Sequence, residues 1–140
     1  MASATEIATA IVEAFNNADW DRMRTLVSED IVYQEAGTGR HVQGVEDYLD
    51  LGRTWRQGFP DAAGKVNTAV ADGGTVALDV TWTGTNTGPL ITPAGEIPAT
   101  GKPIEVVATM WCRVAGKRVE QVRHHLDVAG MMAQLGLLPT

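Results

Sequence analysis

The sequence predicts an α+β fold in which helices cover one face of a curved antiparallel sheet. Apolar residues recur at helical spacing early in the chain and at strict two-residue spacing later, as in "TVALDVTW". The 140-residue length fits one domain with one core, so residues 1–140 are read as a single unit.

The elements follow in order. Ser3 and Glu6 have capping-box spacing, and Ile7, Ala10, Ile11, Ala14 and Phe15 share a stripe, which predicts a helix over 4–17 ended by Asn16 and Asn17. Asp19 is placed to cap a short second helix carrying Trp20, Met23, Leu26 and Val27. "IVYQE" at 31–35 reads as a short strand, and Val45, Tyr48, Gly52 and Trp55 mark a third helix running to "GFPD". "KVNTAVA" and "TVALDVTW" form a hairpin across Asp72-Gly73-Gly74. The strand at 103–114 is apolar on both faces, with Met110 and Cys112 on one and Val107 and Trp111 on the other, so a second subunit is expected to cover its outer face. Ala115-Gly116-Lys117 turns the chain into "RVEQVRHHLD", and "VAGMMAQLGLLP" closes it as a short helix or coil. The stretch 84–102, rich in Pro and Gly, reads as a long loop, a length often tied to function in compact domains.

Composition excludes several function classes. A formal net charge of −6 with scattered basic residues argues against a nucleic-acid partner. The N-terminal stretch lacks a basic n-region and a long apolar run, and no segment suits a bilayer, so a cytoplasmic protein without a membrane partner is expected. Cys112 is the only cysteine and is expected to be a buried, inert thiol. His41, His124 and His125 show no ligand spacing and Gly-rich nucleotide fingerprints are missing, so neither a metal nor any other cofactor is expected.

"TGTNTG", "PATGKP" and "GKRVEQVRHHLD" running into "MMAQLG", together with "FPD" at 59–61, resemble the SnoaL-like polyketide cyclases of the nuclear-transport-factor-2-like superfamily. The resemblance spans almost the whole chain and implies a SnoaL-like domain: a curved sheet around a conical pocket closed by three N-terminal helices. It implies a cofactor-independent enzyme that cyclises a polyketide-type small molecule by intramolecular aldol condensation. Relatives of similar shape hydroxylate, hydrolyse or isomerise related polycyclic substrates, and some only bind ligands, so fold alone leaves the reaction open. A homodimer or homotetramer is the expected assembly.

The resemblance also implies an aspartate acid/base just before the C-terminal segment, and Asp127 is the matching residue. Asp127 equally stands where a helix N-cap belongs. Counting by two from Asp127 puts His125 and Arg123 on its face of the last strand, with His124, Val122 and Leu126 on the other. By that parity His125 is expected to assist catalysis and Arg123 to contact substrate, joined by the Trp111 indole N–H, while the sequence leaves open whether this face or that of His124 is the concave one. Tyr48, Trp55 and Trp82 are expected as core or pocket wall. Many SnoaL-like sequences carry a histidine near the position of Gln34. Here the Gln34 amide can donate to a substrate carbonyl but cannot shuttle a proton.

Overall fold

The computed structural model describes residues 2–138. Four helices and a curved mixed sheet make up the fold, which matches the α+β architecture expected from the sequence. Helix α1 spans Ala4–Asn16, and Ser3 and Glu6 close the capping box that its spacing announced. Asp19 caps α2, Trp20–Leu26, through its side chain and the Arg22 amide. Strand β1, Val27–Ala36, starts where α2 stops, and a tight turn sends it into β2, Arg40–Gln43. Helix α3 covers Val45–Gly58.

The second half is a meander with one interruption. β3, Ala63–Asp72, pairs with β4, Thr75–Thr85, across a turn in which Gly73 adopts φ +59, a backbone region that glycine enters freely. The long stretch after β4 is not structureless: β5, Leu90–Thr92, and β6, Gly95–Ile97, make a small separate hairpin. β7, Pro103–Ala115, and β8, Arg118–Leu126, complete the main sheet, and α4, Val128–Gln134, closes the chain.

The six-stranded sheet has the order β2-β1-β8-β7-β4-β3. Its β1–β8 pair is parallel, so the sheet is mixed, whereas alternation within single strands had suggested only antiparallel pairing. α1, α2 and α3 pack on one face, where Ile11, Ile31, Leu49, Leu78 and Val122 are among the core residues. A second cluster, with Phe59, Leu90, Ile104, Val106, Met131 and Leu135, ties the small hairpin and α4 to the end of the sheet. The opposite face carries no helix: Val107 is 56% exposed and Trp111 39%. The apolar outer side of β7 read from the sequence is therefore open in the single chain.

Candidate active site

A cavity lies between the helices and the covered face of the sheet. Its wall is apolar and aromatic: Phe15, Trp20, Tyr48, Trp55, Phe59 and Trp82 all contribute. Tyr48 and Trp55 come from α3, where helical spacing stacks Tyr48, Leu51, Gly52 and Trp55 on one side. Trp82 continues the inward Val76, Leu78, Val80 series of β4. Its ring lies against Gly64, its cross-strand partner, where an added Cβ would stand 2.5 Å from Cζ3. Only glycine leaves room for the indole in this position.

One polar cluster interrupts this wall. His124 on β8 is 8% exposed and lines the cavity with Leu126. The Trp82 indole Nε1–H donates to His124 Nε2 at 3.3 Å. An indole N–H can only donate, so Nε2 is the accepting nitrogen and the proton of the neutral ring sits on Nδ1. Nδ1–H then donates to the Tyr33 hydroxyl at 2.8 Å, and that hydroxyl donates to Glu35 Oε2. Tyr33 and Glu35 are two residues apart on β1 and so share a face, and the register sets Glu35 beside His124. The Glu35 carboxylate also accepts from Thr38 Oγ1 at 2.7 Å and forms an ion pair with Arg40 at 3.3 Å. Arg40 in turn donates to the Ile91 carbonyl at 2.8 Å and stands over the Trp55 ring, which joins β2, α3 and the small hairpin.

Burial controls the electrostatics. It lowers the His124 pKa to about 4, against a smaller opposing pull from Glu35, so the ring is neutral at pH 7. Burial, with Glu35 adding to it, pushes the Tyr33 phenol well above its ordinary range, so its proton stays available to Glu35. Among the described residues, His124 carries the one imidazole on the cavity lining, which holds no carboxylate; the other polar groups there are phenols, indoles and the Thr83 hydroxyl. It can accept a proton on Nε2 while Tyr33 and Glu35 stabilise the charge through Nδ1.

The face of β8 is the reverse of the one expected by counting from Asp127. His125 and Arg123 are exposed on the outer side, with the Arg123 guanidinium 5.9 Å from the centre of the Trp111 ring. Gln34 is exposed on the same side, paired with Arg123 and His41. A surface depression gathers Gln34, His41, Arg123 and His125 and also reaches Glu35, Arg40 and His124, the last of which it shares with the aromatic cavity. Asp127 is exposed too, and its carboxylate accepts from the Gly130 amide at 2.9 Å as the N-cap of α4. It does not line the cavity. Tyr48 and Trp55 are the two expected substrate contacts that do.

His124 was weighed against His125 and placed second by the parity of Asp127, whereas Tyr33, Glu35 and Arg40 were not singled out by sequence reasoning. A signal existed for three of the four. His124 alternates with Val122 and Leu126, and apolar neighbours of one parity mark the buried side of a strand. Glu35 and Tyr33 likewise alternate with Ile31, which makes Glu35 a carboxylate on an apolar face. Among the described residues no three His, Cys, Asp or Glu side chains converge as a metal site, and no helix is long and apolar enough to cross a membrane.

Comparison with known proteins adds the following. The profile of the SnoaL-like polyketide cyclase family matches residues 5–135. A SnoaL-like polyketide cyclase candidate from Jannaschia sp. CCS1 superposes with a TM-score of 0.85 at 19% identity, over 97% of this chain and 93% of its own. IdmH of Streptomyces antibioticus, assigned provisionally as a polyketide cyclase, gives 0.81 at 28% identity, over 96% of this chain and 99% of its own. AclR of Streptomyces galilaeus, assigned provisionally as a hydroxylase, gives 0.80 at 23% identity, over 98% and 87%. No curated protein sequence matches the chain.

Proposed function

Because the chain belongs to the SnoaL-like polyketide cyclase family, we propose that it is a cofactor-independent cyclase of a neutral, polyketide-type ring precursor, with His124 rather than Asp127 as acid/base. The observation that carries this reading is the neutral His124 ring on the wall of an apolar cavity, its Nδ1–H bonded to Tyr33 and, through it, to Glu35.

The chemistry follows from those contacts. A carbon between two carbonyls is acidic enough for a neutral imidazole to deprotonate when the pair is desolvated and aligned. Nε2 takes the proton, and the C–H electron pair moves into the enolate. The Trp82 N–H, released from Nε2, donates to the developing oxyanion; a donor fixed in a dry site stabilises such charge strongly. The imidazolium is held by Tyr33 and Glu35. The enolate carbon then attacks a second carbonyl of the same molecule, a C–C bond forms, and the new alkoxide recovers the proton from Nε2. Substrate and product have the same composition, so no redox partner enters.

Two subsidiary assignments belong to this reading. Asp127 holds α4 in place and acts on the site only through the adjacent Leu126 and through Met131 on α4, which line the cavity. The open outer face, with Val70, Val107 and Trp111 exposed, serves as the contact of a homodimer or homotetramer.

The test needs no knowledge of the natural substrate. 2-Tetralone has an acidic carbon beside its carbonyl and a flat bicyclic frame. Its hydrogen-to-deuterium exchange in heavy water, followed by proton NMR, should be accelerated by the protein and should return to the buffer rate in His124→Gln. Acceleration that survived in His124→Gln would remove His124 from the chemistry. A natural-type substrate that gained an oxygen atom would place the chain with hydroxylases instead.

A further inference from the structure

Tyr48 carries a polar group that the fold does not use. The residue is 8% exposed, lines the cavity from α3, and its ring centre stands 5.9 Å from that of Tyr33. The His124 ring lies 6.0 Å from the same Tyr33 ring. Tyr48 and His124 therefore both adjoin one phenol within one cavity.

The Tyr48 hydroxyl makes no hydrogen bond to another described residue, although the Cys112 thiol and the Tyr33 phenol are near it. Among the described residues only Ser28 Oγ is a partnerless side-chain oxygen sealed inside the protein. The Tyr48 oxygen is thus interior yet unsealed, on a residue that lines the cavity. A buried hydroxyl without a partner is costly, and native proteins rarely leave one unpaired without reason. Burial raises its pKa, so it remains a donor at every physiological pH.

We propose that the Tyr48 hydroxyl is the hydrogen-bond donor that orients the substrate, selecting a neutral ring compound with a carbonyl oxygen presented to α3. The assignment rests on the cavity being the substrate site. It gives the cavity two poles: His124 meets the acidic carbon, and Tyr48 holds a carbonyl oxygen of the same molecule. Anionic ligands are disfavoured, because among the described residues no cationic side chain lines this wall. The wall also separates ligands by their acceptor: a hydrocarbon of equal shape leaves the hydroxyl unpaired, whereas a ketone satisfies it.

The experiment compares 2-tetralone with tetralin, which has the same frame without the carbonyl. Binding is read by quenching of tryptophan fluorescence in the full chain, since Trp20, Trp55 and Trp82 line the cavity. The wild type should prefer 2-tetralone by roughly 3–10-fold, the worth of one net hydrogen bond. Tyr48→Phe should bind both alike. Because no described residue bonds the hydroxyl, Tyr48→Phe should also melt at or above the wild-type temperature. Equal binding of the two ligands by the wild type, a preference retained in Tyr48→Phe, or a clear fall in its melting temperature would each overturn the assignment. Binding is measured without turnover, so loss of the preference in Tyr48→Phe supports it even if another group proves to be the base.

Discussion

The Trp82 indole N–H reaches His124 Nε2 at 3.3 Å, from a ring held against Gly64. This contact leaves the proton of the neutral imidazole on Nδ1 and aims the Nε2 lone pair at the indole N–H, beside the cavity that both rings line. A residue two strands away from His124 therefore governs which ring nitrogen carries the proton.

Gly64→Ala tests that dependence. The new methyl would press on the indole at 2.5 Å, and the ring must swing away from His124. Exchange of 2-tetralone should slow by roughly 10- to 100-fold, the scale of a displaced catalytic contact. Unchanged exchange in a folded Gly64→Ala protein would show that Trp82 does not orient the base.

His124 also ties stability to pH. An unfolded histidine titrates near pH 6.5, whereas burial holds the folded one at about 4. Between these values the unfolded chain binds the extra proton. The contribution is therefore complete above pH 6.5 and is lost as pH falls toward 4, by on the order of 3 kcal/mol. Urea midpoints at pH 7 and pH 4 should drop less in His124→Gln than in the wild type. An identical drop would mean that His124 titrates normally.

The outer face gives a third expectation. Val70, Ala77, Trp111 and Arg123 lie in one row across β3, β4, β7 and β8, and Trp111 is its central apolar residue. Light scattering at micromolar concentration should report a dimer or larger species, and Trp111→Glu should shift it toward monomer while the cavity still binds 2-tetralone. A wild-type monomer at high concentration would leave this face without a partner.

Much of the fold was legible because it is written in local periodicity. Ser3 and Glu6 announced α1, and the Val76, Leu78, Val80 alternation announced β4 and its inward face. β2, "RHVQ", and the strands "LIT" and "GEI" are three or four residues long, too short for alternation to register. The parallel β1–β8 pair joins segments far apart in the chain, which no local pattern reports. The site was half legible. Val122 and Leu126 pointed to the buried side of β8, but the parity of Asp127 was followed instead, and it carried His125 and Arg123 to the wrong face. Asp127 lies just past the strand, where its own side chain turns back to cap α4, so strand parity does not extend to it.

Capping itself can be measured. Asp127→Ala removes the acceptor of the Gly130 amide and should cost about 1 kcal/mol, seen as a melting temperature lower by about 3–5 °C. A protein with no loss of stability would free Asp127 from the structural role.

The measurement that bears most directly on His124 as the base is the exchange rate of 2-tetralone in two variants side by side, His124→Gln and Asp127→Asn, with melting temperatures taken on the same samples. His124→Gln should slow exchange by roughly 10²–10⁴-fold, the usual contribution of a positioned general base. Asp127→Asn, which keeps a capping side chain, should stay within about twofold of the wild type. The reverse order, with Asp127→Asn inactive and folded while His124→Gln exchanges normally, would contradict the assignment and return the chemistry to the aspartate.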